Sequence, residues 1–331
     1  MVDVHPDLSA PPASIGVIGT GLIGGSIVRR LRALGRDVIA YDHDAAVRGR
    51  LADAGARVAA DAADVARRCE LVVLAVPPGS VATLWSELLA ADVDDVTVID
   101  VASSKGPIAA ALRPVGEVPS SSGDAVFVAT HPMAGRVEAG FDAALDNLFV
   151  DAAWIIVPHA EIDVPRLGQI VAFIRQMGAR PCFLSVADHE RFTAVASHLP
   201  HLLAFSYRKM LHALDADGMA AFAGGSLGDV LRVADADPPL WREILAANDG
   251  EIARARDALI GEMTAFPLDG TAPGDRLVAD DSSPTPAAVE LPSKGPIGAR
   301  GAAELADTGR TGQFLVDIVV ADDAVTCTFA P

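Results

Sequence analysis

The chain has 331 residues, a formal net charge of −18 at pH 7 and 51% hydrophobic residues, which predicts a folded protein long enough for two domains. The negative charge argues against nucleic acid or an acidic membrane surface as a partner. The first fourteen residues lack the basic start and apolar core of a signal peptide, and no apolar run reaches membrane-spanning length. The three cysteines show no metal-ligand spacing, so we expect a cytoplasmic protein without disulfides.

The first predicted elements form a dinucleotide-binding fingerprint. A short apolar strand, residues 15–18, leads into a turn with Gly19, Gly21 and Gly24, and a helix pattern follows. Gly19 permits the tight turn, Gly21 lets the backbone approach a pyrophosphate, and Gly24 lets the helix pack closely on the strand. The spacing therefore predicts a pyrophosphate site on this turn.

The residues after the turn specify the cofactor. The new helix, beginning with Leu22 and Ile23, offers unpaired N–H groups and the positive end of its dipole to phosphate groups. The second strand, residues 37–41, ends on Asp42, which would accept hydrogen bonds from ribose hydroxyls and repel a 2′-phosphate. We expect NAD as the cofactor, with NADP disfavoured.

Strand and helix patterns then alternate. Further strands are predicted at 71–76, 96–101, 126–130, 154–157 and 181–184, with helices at 78–91 and 164–177. This alternation predicts an α/β Rossmann domain, a doubly wound parallel sheet whose ligands gather at the carboxyl ends of its strands. Val76 and Pro77, where the 71–76 strand stops, are expected to face the cofactor.

Two polar residues follow strand ends at this edge, Ser103 and His131. A neutral imidazole suits the removal of a proton from a substrate hydroxyl near neutral pH, so His131 is the candidate base. Ser103 is the candidate partner for the same hydroxyl, and a helix cap is the competing explanation for a serine there. His131, His198 and His201 have no carboxylate at a matching spacing, so no metal site is predicted.

The pattern changes to helix alone after residue 187. Asp188 is a candidate N-cap for a helix over 189–214, which Pro200 should kink near Ala196. Ser197 and His201, four residues apart, share one face beside the kink. A second long helix pattern runs from 238 to 266, and helices this apolar in so thin a segment predict packing against a partner subunit.

Arg232 lies between these two helix patterns. It could bind a substrate carboxylate, although a salt bridge to Asp229, three residues earlier, is also possible. Trp241 is expected in the core.

The predicted domains are therefore a flexible N-terminus, an NAD-binding domain, a helical dimerisation and substrate domain, a linker and a C-terminal extension of unknown role. Their respective bounds are 1–13, 14–186, 187–266, 267–289 and 290–331. The extension contains one strand-like run, 314–320, and a weaker one at 325–329.

Several segments together resemble one enzyme family. GVIGTGLIGGS, LAVPP, DVASSKG, THPMAG, DNLF, SHLPH and DPPLWREI occur in this order and at these distances in the prephenate/arogenate dehydrogenases of tyrosine biosynthesis. The resemblance implies a Rossmann domain, a helical dimerisation domain and an active site in the cleft between them. It also implies NAD-dependent oxidative decarboxylation of a small-molecule substrate by a homodimer.

The resemblance also implies roles for single residues. His131 in THPMAG corresponds to the group that deprotonates the ring hydroxyl, and Ser103 in DVASSKG to its hydroxyl partner. Ser197 and His201 in SHLPH correspond to a substrate-contacting pair, and Arg232 to the arginine that binds a substrate carboxylate.

Prephenate is the expected substrate, and three alternatives remain open. Arogenate is the nearest, because Arg136, Val137 and Glu138 follow THPMAG where the family often has a small polar residue and then an acidic one. Arg136 could favour the second carboxylate of the keto acid, while Glu138 could meet the amine of arogenate. A β-hydroxyacid dehydrogenase is more distant, since no lysine motif of that family surrounds Lys209. A non-catalytic NAD-binding regulator would need none of the candidate catalytic residues.

Overall fold

The computed structural model describes residues 10–91, 93, 95–112, 121–122, 125–214, 224–267, 286–292, 295–321 and 324–331. The chain divides into two compact units, Met1–His189 with Pro284–Pro331, and Glu190–Ser283. Most of the predicted flexible N-terminus and of the predicted linker lies outside the described residues.

The first unit is built on a mainly parallel sheet with strand order β3-β2-β1-β4-β5-β7-β6. Only β6 is antiparallel to its neighbour. The strands are β1 (Ile15–Ile18), β2 (Ile39–Tyr41), β3 (Arg57–Val58), β4 (Leu71–Leu74), β5 (Thr97–Asp100), β6 (Ser121–Ser122) and β7 (Ala125–Val128). The connecting helices are α1 (Leu22–Ala33), α2 (Ala45–Asp53), α3 (Ala62–Ala66), α4 (Pro78–Ala90) and α5 (Gly106–Ala111). The predicted α/β Rossmann fold is confirmed.

Apolar layers cover both faces of this sheet. On β4, Val73 packs into one core cluster while its neighbours Val72 and Leu74 pack into another. Successive side chains of a strand point to opposite faces, so the two clusters are the two layers of a doubly wound fold. This explains why the strands appear as continuous apolar runs in the sequence.

A second sheet follows, of strand order β10-β9-β8. Its strands are β8 (Thr130–Pro132), β9 (Ala153–Ile156) and β10 (Arg180–Phe183), with α6 (Val164–Gln176) between the last two. The predicted strands at 154–157 and 181–184 thus form a separate sheet. His131, expected just beyond the end of a strand, lies inside β8, because the chain leaves the first sheet at Ala129 and pairs antiparallel with β9.

The C-terminal residues form a third sheet that belongs to the first unit. Its strands are β11 (Ala287–Pro292), β12 (Phe314–Ala321) and β13 (Ala324–Ala330), with β13 between the other two. Helix α12 (Gly298–Arg310) connects β11 to β12. The rings of Phe183 and Phe329 meet edge to face, with centroids 5.9 Å apart, and Arg180 stacks over Phe314. The extension therefore shares the core of the first unit.

The second unit is helical. Its elements are α7 (Val186–Thr193), which begins in the first unit, a π-helical segment (Ala194–His198), α8 (Leu199–Ala213), α9 (Gly225–Leu231), a 3₁₀ turn (Arg232–Asp235), α10 (Pro238–Ala247) and α11 (Asp249–Ala265). The π-helical segment contains Ala196, where Pro200 lacks the N–H that a regular helix needs.

Two helix predictions need correction. Helix α7 begins at Val186, and the Ser185 hydroxyl accepts a hydrogen bond from the Asp188 N–H, so Ser185 caps this helix and Asp188 lies in its first turn. The pattern predicted as one helix over 238–266 is broken at Asn248, whose side-chain amide donates to the Glu190 carbonyl. A side-chain hydrogen bond lies at the helix boundary in both places, a local one at Ser185 and a tertiary one at Asn248.

The three cysteines lie in the interior of the protein. Cys69, Cys182 and Cys327 are buried free thiols, and burial raises the pKa of each to about 12.

In the described part of the chain, every helix is too short or too polar to cross a membrane.

Candidate active site

The glycine turn has the geometry that a pyrophosphate site requires. Gly19 has a φ of +84°, and a Cβ added there would lie 2.5 Å from the Ala75 carbonyl oxygen. A Cβ on Gly24 would lie 2.0 Å from the Gly19 carbonyl oxygen, so α1 can begin this close to β1 only with glycine there. A Cβ on Gly21 would meet no atom within 4 Å. The backbone at Gly21, just before Leu22 and Ile23, therefore faces open space.

A cleft of about 410 Å³ opens beside this turn. Apolar side chains from three strand ends and from α4 line it, among them Ile18, Tyr41, Val76 and Leu88. Asp61 and Glu87 also line it. Its apolar walls suit a flat heterocycle, and Pro77 lies next to Val76 at the exposed start of α4.

Asp42 is held at the end of β2. Its Oδ2 accepts hydrogen bonds from the Thr20 backbone N–H at 2.7 Å and from the Thr20 hydroxyl at 2.9 Å. Its Oδ1 accepts the Asp44 N–H at 3.0 Å. The carboxylate is thereby fixed beside the glycine turn, as the fingerprint requires.

Ser103 and His131 follow two neighbouring strands. Ser103 is half-buried in the loop after β5, and His131 is buried in β8, which continues from β7 after one residue. Because β5 and β7 pair in parallel, both residues lie at the edge of the first sheet where the glycine turn lies.

A buried ionic network supports both segments. The Lys105 ammonium donates to Asp100 Oδ2, and both side chains are fully buried. The same carboxylate accepts the Ala102 N–H at 2.9 Å and the Thr130 N–H at 3.0 Å. Burial raises the pKa of the Asp100 carboxyl, while the charge of Lys105 opposes that rise. The network ties the loop that carries Ser103 to the strand that carries His131.

The helical unit brings its own candidate residues together. His201 Nδ1 lies 2.9 Å from the Ser197 carbonyl oxygen, so this nitrogen must be the donor. The His201 ring stacks on Trp241, with centroids 3.6 Å apart and an interplanar angle of 21°. Trp241 is buried, as the sequence predicts, and it also orients His201.

The electrostatics of His201 also involve Arg232. Burial lowers the pKa of His201, the hydrogen bond to Ser197 opposes this shift, and the positive charge of Arg232 lowers the pKa further. His201 is therefore neutral near pH 7, with Nε2 as an acceptor. Arg232 is exposed, and no ion pair joins it to Asp229 among the described residues. The guanidinium can therefore bind an anion.

His198 has a different role. It is buried, its Nδ1 lies 3.3 Å from the Asn248 amide nitrogen, and burial lowers its pKa to about 4. It packs edge to face on Trp241. His198 is thus a neutral core residue next to the helix break at Asn248.

The structure groups the candidate residues into three sets. Gly19 and Val76 line one cleft, and Asp42 is bonded to Thr20 in the same glycine turn. Ser103 and His131 follow neighbouring strands. Ser197, His201 and Arg232 lie in the helical unit, where His201 interacts with the other two. Within the described ranges, no three His, Cys, Asp or Glu side chains are placed to hold a metal ion. Sequence reasoning missed His189, Asp100 and Lys105, although the last two lie in DVASSKG.

Comparisons with known proteins identify related sequences. Residues 27–182 match the family described as prephenate dehydrogenase, nucleotide-binding domain, and residues 185–267 match prephenate dehydrogenase, dimerization domain. The glycine turn lies just before the first match, and the C-terminal sheet lies after the second.

Individual relatives agree with this match. Cyclohexadienyl dehydrogenase of Zymomonas mobilis is 29% identical over 75% of this chain and 85% of its own length. Prephenate dehydrogenase of Bacillus subtilis is 28% identical over 76% and 68%. The crystal structure of Aquifex aeolicus prephenate dehydrogenase, solved with hydroxyphenyl propionate and NAD⁺, is 26% identical with a TM-score of 0.68, over 76% of this chain and 88% of that one.

Proposed function

Because this chain belongs to the prephenate dehydrogenase family, we propose that it converts prephenate and NAD⁺ to 4-hydroxyphenylpyruvate, CO₂ and NADH, a reaction of tyrosine biosynthesis. The observation that carries the proposal is the buried His131 imidazole at the strand edge that holds the glycine turn. The two consecutive family domains agree with it.

The residues present fit NAD. Gly21 leaves room for the pyrophosphate, the start of α1 supplies N–H groups, and the apolar cleft accommodates the adenine ring. Asp42 selects the free ribose hydroxyls of NAD over the phosphate of NADP. When bound, NAD⁺ would accept the hydride from the substrate.

His131 and Ser103 then act on the ring hydroxyl of the substrate. His131 takes the proton of the ring hydroxyl while the hydride leaves the carbon that bears this hydroxyl. Ser103 hydrogen-bonds the hydroxyl oxygen. Loss of the ring carboxylate as CO₂ makes the ring aromatic, and His131 returns the proton to the phenolic oxygen. The reaction consumes and releases no net proton.

The helical unit provides the groups that bind the rest of the substrate. Arg232 pairs with a substrate carboxylate, and Ser197 and His201 supply hydrogen bonds. Stacking on Trp241 fixes the His201 ring before the substrate arrives, which reduces the entropy lost on binding.

The proposal is tested by the appearance of NADH absorbance when the purified chain is mixed with NAD⁺ and either prephenate or arogenate, and again with NADP⁺. We expect turnover with prephenate and NAD⁺. Absence of NADH with both substrates would refute the proposal.

Arogenate is the second candidate substrate, favoured by one observation. Glu138 lies in the segment after His131 and could meet the amine of arogenate, but its carboxylate pairs with Arg136 at 3.1 Å. Both side chains are partly exposed, so Glu138 could exchange this pair for the amine of arogenate, just as Arg136 could exchange it for the second carboxylate of the keto acid. A higher kcat/KM for arogenate in the same assay would favour it.

We further propose a homodimer formed through the helical unit. Several large apolar side chains of this unit are exposed in the single chain, among them Met210, Leu214, Ile260, Met263 and Phe266. Exposed apolar surface of this extent is typical of a subunit interface. Light scattering should give twice the mass of the chain, and the Ile260→Glu/Met263→Glu variant should give the mass of one chain.

The Gly21→Ala variant should fold normally and lose affinity for NAD⁺. Its new methyl group meets no protein atom within 4 Å but occupies the space assigned to the pyrophosphate. We expect roughly 5- to 150-fold weaker binding, the effect of about 1–3 kcal/mol of overpacking. Gly49→Ala, at an equally open position in α2, is the control and should bind NAD⁺ as the wild type does. Normal affinity of Gly21→Ala in a fluorescence titration would refute the assignment.

Replacing Arg232 with alanine should raise the KM for prephenate. Loss of a charge-assisted hydrogen bond of about 1.5–3 kcal/mol corresponds to roughly a 10- to 150-fold change, with a smaller effect on kcat and none on NAD⁺ affinity. Arg256→Ala on α11, where the guanidinium pairs with the adjacent Asp257, is the matched control. An unchanged KM would remove Arg232 from the substrate site.

A further inference from the structure

A second buried imidazole contacts the candidate base. His131 Nδ1 lies 2.9 Å from Nε2 of His189, and the two rings are tilted by 59° with centroids 5.2 Å apart. His189 is fully buried and His131 is 8% exposed. A buried contact of this length between two ring nitrogens is a hydrogen bond with one donor and one acceptor.

Rigid elements hold both rings. His189 lies in the first turn of α7, where its N–H donates to the Ser185 carbonyl at 2.9 Å, and the Ser185 hydroxyl caps that turn. On the other side, His131 pairs with Ile155 across β8 and β9, and the Met133 N–H donates to the Ala153 carbonyl. The contact is therefore built into the fold and does not depend on a mobile loop.

We propose that His189 is a positioning residue that accepts the Nδ1–H of His131 and thereby makes Nε2 the proton-accepting nitrogen. This inference rests on the proposed function, in which His131 is the base. A neutral imidazole carries its proton on one nitrogen only. Holding that proton on Nδ1 leaves the lone pair on Nε2, where the hydroxyl proton of the substrate can bind.

The same contact stabilises His131 after proton transfer. The bond from Nδ1–H to His189 becomes charge-assisted once His131 is an imidazolium, and such bonds are stronger than neutral ones. The two rings cannot both be charged in this contact, because two N–H groups would then face each other. His189 therefore stays neutral, and the proton returns from Nε2 to the phenolic oxygen without passing through His189.

Other charged groups near the pair remain unchanged in the test. Asp188 accepts a hydrogen bond from the Ser185 hydroxyl, and Asp100 pairs with Lys105 behind Thr130. Neither pair contains a side-chain atom of His189, and the buried Glu190 carboxyl directly after it is the same in every His189 variant. A difference in pH dependence between His189→Leu and His189→Gln can therefore be assigned to the contact between residues 131 and 189.

The first experiment compares His189→Leu with His189→Gln, whose amide oxygen can still accept the Nδ1–H. We expect kcat of His189→Leu to fall roughly 10- to 100-fold, the scale typical when the partner of a functional imidazole is removed. His189→Gln should recover most of this loss. NAD⁺ affinity and the midpoint of thermal unfolding should remain close to wild type in the glutamine variant.

The acid limb of the kcat–pH profile distinguishes this role from a merely structural one. Removing an acceptor from Nδ1–H destabilises the imidazolium, so the limb of His189→Leu should move to lower pH by about one unit. An unmoved limb would overturn the proposal. A move to higher pH would also overturn it, because His189 would then be a donor to His131.

A second measurement needs no turnover. Long-range ¹H–¹⁵N spectra of the protein with all eight histidines labelled, assigned with the His131→Asn and His189→Leu variants, should show Nδ1 of His131 protonated and Nε2 not. The opposite tautomer would overturn the proposal even in an active enzyme. A wild-type chain that shows the expected tautomer but forms no NADH would instead refute only the proposed function.

Discussion

The His131→Asn variant should lose roughly 10²- to 10⁴-fold in kcat with prephenate while binding NAD⁺ as tightly as the wild type. Asparagine retains a smaller polar side chain but cannot take a proton at neutral pH. The residues assigned to the cofactor, from the glycine turn to Asp42, are not altered. Stopped-flow measurement of NADH formation, together with a fluorescence titration of NAD⁺, checks both parts.

The control for this prediction is another histidine of the same unit. His159 is half-buried after β9, and burial lowers its pKa, so it too is a neutral imidazole near pH 7. His159→Asn should leave kcat within a factor of two or so, as expected for a site outside the chemistry. A near-normal kcat in His131→Asn, or an equal loss in both variants, would eliminate His131 as the base.

The sequence predicts the glycine turn of the first unit and the strands around it well, because the patterns that identify them are local. The apolar run from Ile15 to Ile18 is bounded by Ser14 and Gly19, and the observed strand has the predicted bounds. A glycine where two backbone segments approach closely, and an acid at the end of a strand, can each be recognised from the residues next to them in the sequence. The fold and the glycine turn could therefore be derived without coordinates.

Contacts between distant segments could not be derived. His131 lies in a three-residue strand whose partner, β9, begins 21 residues after Pro132, and so short a strand has no recognisable period. His189 reads as part of an apolar helix, and its contact with His131 spans 58 residues. The contact between His131 and His189 depends on packing that no local pattern encodes.

The C-terminal helix shows how tertiary packing overrides local preference. Helix α12 contains three glycines, residues that weaken an isolated helix, and the sequence does not predict it. A Cβ on Gly309 would lie 1.6 Å from the Phe183 carbonyl oxygen, so glycine is required where α12 packs on β10. Gly309 thus weakens the helix pattern in the sequence and at the same time permits α12 to pack on β10.

The Lys105→Met variant should be destabilised by about 3–5 kcal/mol, the range found when one partner of a buried ion pair is removed. Methionine fills the space of the lysine stem but leaves the Asp100 carboxylate buried with only its N–H donors. Urea unfolding should show a lower midpoint than the wild type. Lys209→Met, an exposed lysine on α8, is the matched control and should change stability by no more than about 0.5 kcal/mol.

The pH dependence of stability and a double variant together test whether the unpaired Asp100 carboxylate causes this loss. Without Lys105, burial raises the pKa of Asp100 further above its unfolded value of about 3.9, so the folded state favours the protonated acid. Stability of Lys105→Met relative to wild type should therefore be greatest near pH 4 and fall as pH rises through the folded pKa. Asp100→Asn/Lys105→Met removes both charges and should unfold at a higher urea concentration than Lys105→Met. If the two variants unfold together at every pH, the loss comes from packing alone, and the ion pair does not hold the Ser103 loop and β8 in place.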